Sequence, residues 1–185
     1  MRNSAFHIPH PTFYILHFTF YILVASVALA DAKTWYVDPT GGTASSDSYD
    51  GTKAVWEGSG STVGPRKTLA SVMTLASSGD TVIALPGRYD EGVSNTEDLN
   101  TEKVLNRVTI PAGVTLQSRD GAETTFIIGA DAPVNEWEGC GSNAVRCAFV
   151  SDATKTDPKA KLIGFTLTGG RTAAAGDNYA QKGGG

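Results

Sequence analysis

Short apolar runs punctuated by turn residues set the rhythm of this chain. Gly79-Asp80 leads into Thr81-Val82-Ile83-Ala84-Leu85, and Pro86-Gly87 closes the run. The same grammar returns at 108–110, 114–116, 126–128 and 162–167. Such runs, rich in β-branched residues and bounded by Gly, Asp and Pro, read as short strands. Around Pro111-Ala112-Gly113 and again from Leu162 onward, apolar residues alternate with threonine, so one face is buried and one is wet. Thr34-Trp35-Tyr36-Val37 forms one further strand, ended by Pro39. From Thr40 to Gly64 the chain is loop, dense in Gly, Ser, Thr and Asp.

One segment departs from the two-residue period. Pro65 suits a first helical turn, and Leu69, Val72, Met73 and Ala76 follow at helical spacing, which predicts a helix over 67–76 closed by Gly79. The polar, acidic stretch from Tyr89 to Asn106 reads as an insertion, and 130–146 as a loop.

Many short strands without a clean two-residue hairpin between apolar partners favour a parallel β-helix over a sandwich or barrel. The expected fold is therefore all-β, a right-handed parallel β-helix with an N-terminal capping α-helix, cut off after its first two or three coils. Three segments divide it: 1–30 a signal peptide, 31–64 a strand and loop, and 65–185 the capping helix and first coils. Two pairings would express this fold: strand 81–85 stacked on strand 126–128 in one parallel sheet, and Leu69 and Met73 turned to the first coil. A stacked fold needs a cap on its last layer, and the small, polar segment from Thr172 to Gly185 offers none, so the expected protein continues further.

Composition enters with the first 30 residues. Arg2 opens a basic start, Phe13 to Ala30 is nearly continuously apolar, and Ala28-Leu29-Ala30 and Ala30-Asp31-Ala32 offer small-residue cleavage sites. This is the pattern of a cleaved secretory signal, with an uncleaved membrane anchor as the alternative. The expected location is secreted or cell-surface. All three histidines, His7, His10 and His17, lie within this segment, so the remainder has neither a histidine base nor a His-ligated metal. Removing the segment also removes Arg2 and moves the net charge from −4 to −5. Scattered charges of that sign exclude a nucleic-acid partner.

Cys140 and Cys147 are the only cysteines. An even pair behind a secretory signal implies a disulfide, a clip of about 2 to 3 kcal/mol on a short loop; the alternative is a two-cysteine metal site. Asp47-Ser48-Tyr49-Asp50-Gly51 offers carboxylates to calcium but lacks EF-hand spacing, and aspartate before glycine also forms plain turns. Trp137, between Glu136 and Glu138, either stacks on a sugar or plugs its loop. No residue is assigned a catalytic role.

The order Trp35-Tyr36-Val37-Asp38, Asp50-Gly51, Pro65-Arg66-Lys67-Thr68-Leu69, Gly79-Asp80-Thr81-Val82 and Leu85-Pro86-Gly87-Arg88-Tyr89 resembles the N-terminal region of right-handed β-helix proteins of the pectate-lyase-like superfamily. Pro111-Ala112-Gly113-Val114-Thr115-Leu116 and Gly164-Phe165-Thr166-Leu167 resemble that family's coil phrases. Gly183-Gly184-Gly185 resembles the glycine runs of polymorphic outer-membrane repeat proteins. The resemblance implies one of two roles. The first is a lyase-like protein that binds or processes an extracellular polysaccharide, with calcium as a cofactor if it is a lyase. In such enzymes calcium sits on carboxylates beside a Lys or Arg base; Asp152, Asp157, Lys161 and Arg171, near the late strands, are the candidates to approach a groove, the alternative being charges on turns that are simply solvated. The second is a non-enzymatic adhesin or exported repeat passenger, attached to an outer membrane or cell surface through a later region. A monomer is expected in either case.

Overall fold

The computed structural model describes residues 31–97, 103–133, 140–141, 143–150 and 159–172. The segment read as a signal, 1–30, lies outside them. The chain divides into two compact units, Met1–Ala30 and Asp31–Gly185, and everything below concerns the second.

Strands dominate. Among the described residues they are, in chain order, β1 (Thr34–Val37), β2 (Thr81–Ala84), β3 (Gly87–Tyr89), β4 (Ser94–Glu97), β5 (Lys103–Ile110), β6 (Thr115–Ser118), β7 (Thr125–Ile128), β8 (Val145–Val150), β9 (Lys161–Ile163) and β10 (Thr166–Thr168), with one helix, α1 (Leu69–Met73). They form three sheets: A, in the order β1-β2-β6-β9; B, in the order β10-β7-β3; and C, in the order β4-β5-β8. All pairings between these strands are parallel except β4 with β5. From β2 onward, β4 apart, the chain visits A, B and C in turn, then A, B and C again, then A and B.

Alternation decides which side chains enter the core. In sheet A, Trp35, Val82, Leu116 and Leu162 stand in register and point inward, as do Val37, Ala84 and Ser118. Sheet B adds Tyr89 and Ile127, and sheet C adds Val108 and Ile110. Each fully buried Val, Leu or Ile contributes about 1.5 to 3 kcal/mol. The Tyr89 hydroxyl, buried with its ring, lies 2.9 Å from the Val37 carbonyl oxygen and 2.8 Å from that of Leu85, so its one proton ties the ends of β1 and β2 together. Burial pushes its pKa well above the usual phenol range.

Helix α1 is shorter than the spacing predicts. Thr68 caps it by accepting a hydrogen bond from the Ser71 N–H at 3.2 Å, and Leu69, Val72 and Met73 are buried in the core beside Val37 and Val82, as expected for Leu69 and Met73. Past Met73 the helix tightens, because the Thr74 and Leu75 N–H groups reach back only three residues, to Ser71 and Val72. The Ser71 and Thr74 hydroxyls also donate to Thr68 and Ser71 carbonyls.

Three expectations need correction. Strand 81–85 does not stack on strand 126–128: β2 pairs with β6 in sheet A, whereas β7 pairs with β3 in sheet B. The run from Leu162 to Leu167 is not one strand, because Gly164, at φ +77°, turns the corner between β9 and β10. The acidic insertion contains a strand, β4, which pairs antiparallel with the start of β5.

The two ends of sheet A differ. The outer edge of β1 is occupied by the loop: the Tyr36 N–H donates to Gly51 O at 2.8 Å, the Arg66 N–H to Tyr36 O at 3.0 Å, and the Asp38 N–H to Arg66 O at 2.8 Å. At the opposite side β9, β10 and β8 close the three sheets, and no further strand pairs with them among the described residues. Val150 and Leu167, at 45% and 40% exposure, lie there. No helix among the described residues is long and apolar enough to cross a membrane.

Candidate functional site

The pattern that sends Val82 and Leu116 inward sends their neighbours outward, and the parallel register lines those neighbours into columns. One column runs Thr34, Thr81, Thr115, Lys161; the other runs Tyr36, Ile83, Gln117, Ile163. Neighbouring strands lie about 4.8 Å apart, so hydroxyls repeat at that pitch along three strands. Thr34, Gln117 and Lys161 are exposed, Tyr36 and Ile83 are half-buried, and Ile163 is 45% exposed. The outer face of sheet A is thus a surface of hydroxyl, phenol, amide and aliphatic groups with one ammonium.

The carboxylates around it are engaged. Asp80, just before β2, is 6% exposed. It accepts hydrogen bonds from the Lys33 N–H at 2.8 Å, Trp35 Nε1 at 2.9 Å and the Ser77 N–H at 3.0 Å. Burial alone would raise its pKa, but these donors and the Lys33 charge hold it below the usual value. Asp38 accepts from the Thr40 N–H and Oγ1 at 2.9 and 2.6 Å. Asp120 pairs with the Arg119 guanidinium, which holds its carboxyl low.

The aspartates once offered to calcium serve as turn and helix staples. Asp47 accepts from the Lys67 and Thr68 N–H groups and from the Thr68 and Ser71 hydroxyls, fastening the loop to the start of α1. Asp50 accepts from the Thr52 N–H and hydroxyl and from the Gly64 N–H. In both, burial pulls the pKa up and the hydrogen bonds pull it further down. No group of three or more His, Cys, Asp or Glu side chains converges on a metal position among the described residues.

The other sequence-derived candidates do not assemble. Lys161 lies on the outer face of sheet A. Arg171 follows β10, on sheet B, where its Nε donates to Asp131 at 2.9 Å. Asp152, Asp157 and Trp137 with its two glutamates lie outside the described residues. Cys140 and Cys147 are not joined in a disulfide. Cys147 turns into the core at 1% exposure, its thiol donating to the Thr168 carbonyl at 3.2 Å, while Cys140 is half-buried beside Gly141, whose N–H reaches Thr172 O at 3.1 Å. The Cys147 thiol is directed at the Thr168 carbonyl inside the core, and the expected clip to Cys140 is not formed.

Sequence reasoning found Lys161 but missed Thr34, Tyr36, Thr81, Thr115 and Gln117. Alternation marked Thr115 and Gln117 as wet, and only the register shows that all five stand in columns. No family model matches this chain, and no curated protein or solved structure matches it either.

Proposed function

We propose that this chain forms coils of a secreted or cell-surface right-handed parallel β-helix of the pectate-lyase-like type, and that the outer face of its sheet A binds an extracellular polysaccharide. The recurring order of sheets A, B and C supports the β-helix. The right hand follows from the general preference of crossovers between parallel strands.

One observation carries the binding role: the in-register column of threonine hydroxyls beside Tyr36 and Gln117, repeating at the strand pitch along a single face. Each hydroxyl both donates and accepts, and the half-exposed Tyr36 ring offers a flat apolar surface with a polar tip. A periodic, hydroxyl-bearing chain presents complementary groups.

A second reading, a non-enzymatic adhesin or exported repeat passenger, is favoured by the chemistry of the same face, whose hydroxyl, amide and aliphatic groups bind without reacting. Retention of the purified chain on insoluble cell-wall polysaccharides tests the shared core of both. Retention that falls in Tyr36→Ala supports it; passage through every polymer overturns it. Analysis of the retained polymer then separates the two readings, since shortened chains or new unsaturated ends mark an enzyme and an unchanged polymer marks an adhesin.

A further inference from the structure

We infer that the outer face of sheet A takes an uncharged, hydroxyl-rich glycan and binds it without calcium. This rests on the polysaccharide reading and narrows it to one class of ligand.

Among the outward positions of the four strands of sheet A only Lys161 is charged, and it stands at one end of its column. A polyuronate brings a carboxylate with every sugar and would lay most of them against threonine, isoleucine and glutamine. Anionic polymers of that kind are met by cations arrayed along the face, either arginine and lysine side chains or bridging calcium. The face has one lysine for the first role. For the second, calcium requires six to eight oxygen ligands with carboxylates among them.

The carboxylates that border the face are occupied with the fold. Asp80 receives three donors, one of them the indole of inward-facing Trp35, and releasing it would loosen the first strand. Asp120 is held at both oxygens by Arg119. Asp38 has one oxygen engaged by Thr40 and belongs to no group of three or more metal-ligating side chains among the described residues. A neutral glycan asks for none of these groups. Its ring hydroxyls meet the threonine column and Gln117, and its apolar ring face meets Tyr36 and Ile83.

Calorimetric titration of the purified chain tests this, using xylan, galactomannan and mixed-linkage β-glucan on one side and polygalacturonate and alginate on the other, each in EDTA and in calcium. The expected result is binding to at least one neutral polymer with the same affinity in both buffers, weakened about tenfold in the Tyr36→Ala, Gln117→Ala double variant. Both substitutions are on the outer face, so an unchanged circular dichroism spectrum is expected to accompany the loss. Binding confined to polygalacturonate or alginate, with or without calcium, overturns the inference and leaves the polysaccharide reading standing. Neutral binding that vanishes in EDTA overturns the calcium-independent part. No binding to any polymer overturns both.

Discussion

Asp47, Asp50 and Asp80 each spend a carboxylate on holding backbone in place. Their folded-state pKa values lie below the ordinary aspartate value, and this fixes the sign of a pH effect. A carboxylate whose pKa is depressed by folding adds stability that is fully present above its unfolded value, about 3.9, and lost as pH falls through the folded value. The melting temperature should therefore hold above about pH 5 and fall progressively below about pH 4. In Asp80→Ala, which leaves the Trp35 indole and two N–H groups without their acceptor, urea unfolding should show a loss of about 2 to 4 kcal/mol at neutral pH and a shallower acid slope. An unchanged slope would remove Asp80 from the set. The sequence made these aspartates legible as turn formers but hid which donors they serve, because Lys33 and Trp35 are far from Asp80 along the chain. Arg107 was hidden in the same way. At 5% exposure, its Nε donates to Ile128 O at 2.7 Å and its Nη1 to Gly92 O at 2.6 Å, and a charged residue in a strand pattern carries no local sign of such a role.

At the scale of elements, the apolar runs located most strands because burial demands that composition. Ser94–Glu97 escaped, since its edge position and polar residues carry no alternation to read. The long run after Leu162 misled for the opposite reason: its alternation continues across the Gly164 corner, so two strands on different sheets look like one. Partner choice between strands was least legible, because β2, β6 and β7 have similar composition and only the turn geometry sorts them. Layer position has a measurable consequence. Leu116 is fully buried between Val82 and Leu162 in register, whereas Leu162 has a strand on one side only among the described residues. Leu116→Ala should cost about 2 to 5 kcal/mol by chemical denaturation, and Leu162→Ala less than half as much. Equal losses would mean that further structure covers β9 and buries Leu162 as deeply as Leu116.

For the whole molecule, the absence of histidine after His17 and the acidic balance constrain chemistry more than any motif does. They remove imidazole chemistry from the rest of the chain, and the groups that the outer face of sheet A presents are hydroxyls, a phenol, an amide, aliphatic side chains and one ammonium. Export is testable directly. Mass spectrometry of protein secreted from a suitable host should find a mature N-terminus at Asp31 or Lys33, after one of the two small-residue sites. Full-length protein retained in the membrane would favour the uncleaved anchor instead.

The occupied edge of β1 also bears on the order of events during synthesis. Gly51 and Arg66 consume the hydrogen-bonding groups of that strand using residues that leave the ribosome before β2 does. A nascent chain made N-terminus first thus seals one side of its sheet before the other side exists. Each later strand then finds a single open template, which makes growth directional and denies stray chains a second surface on which to nucleate aggregates.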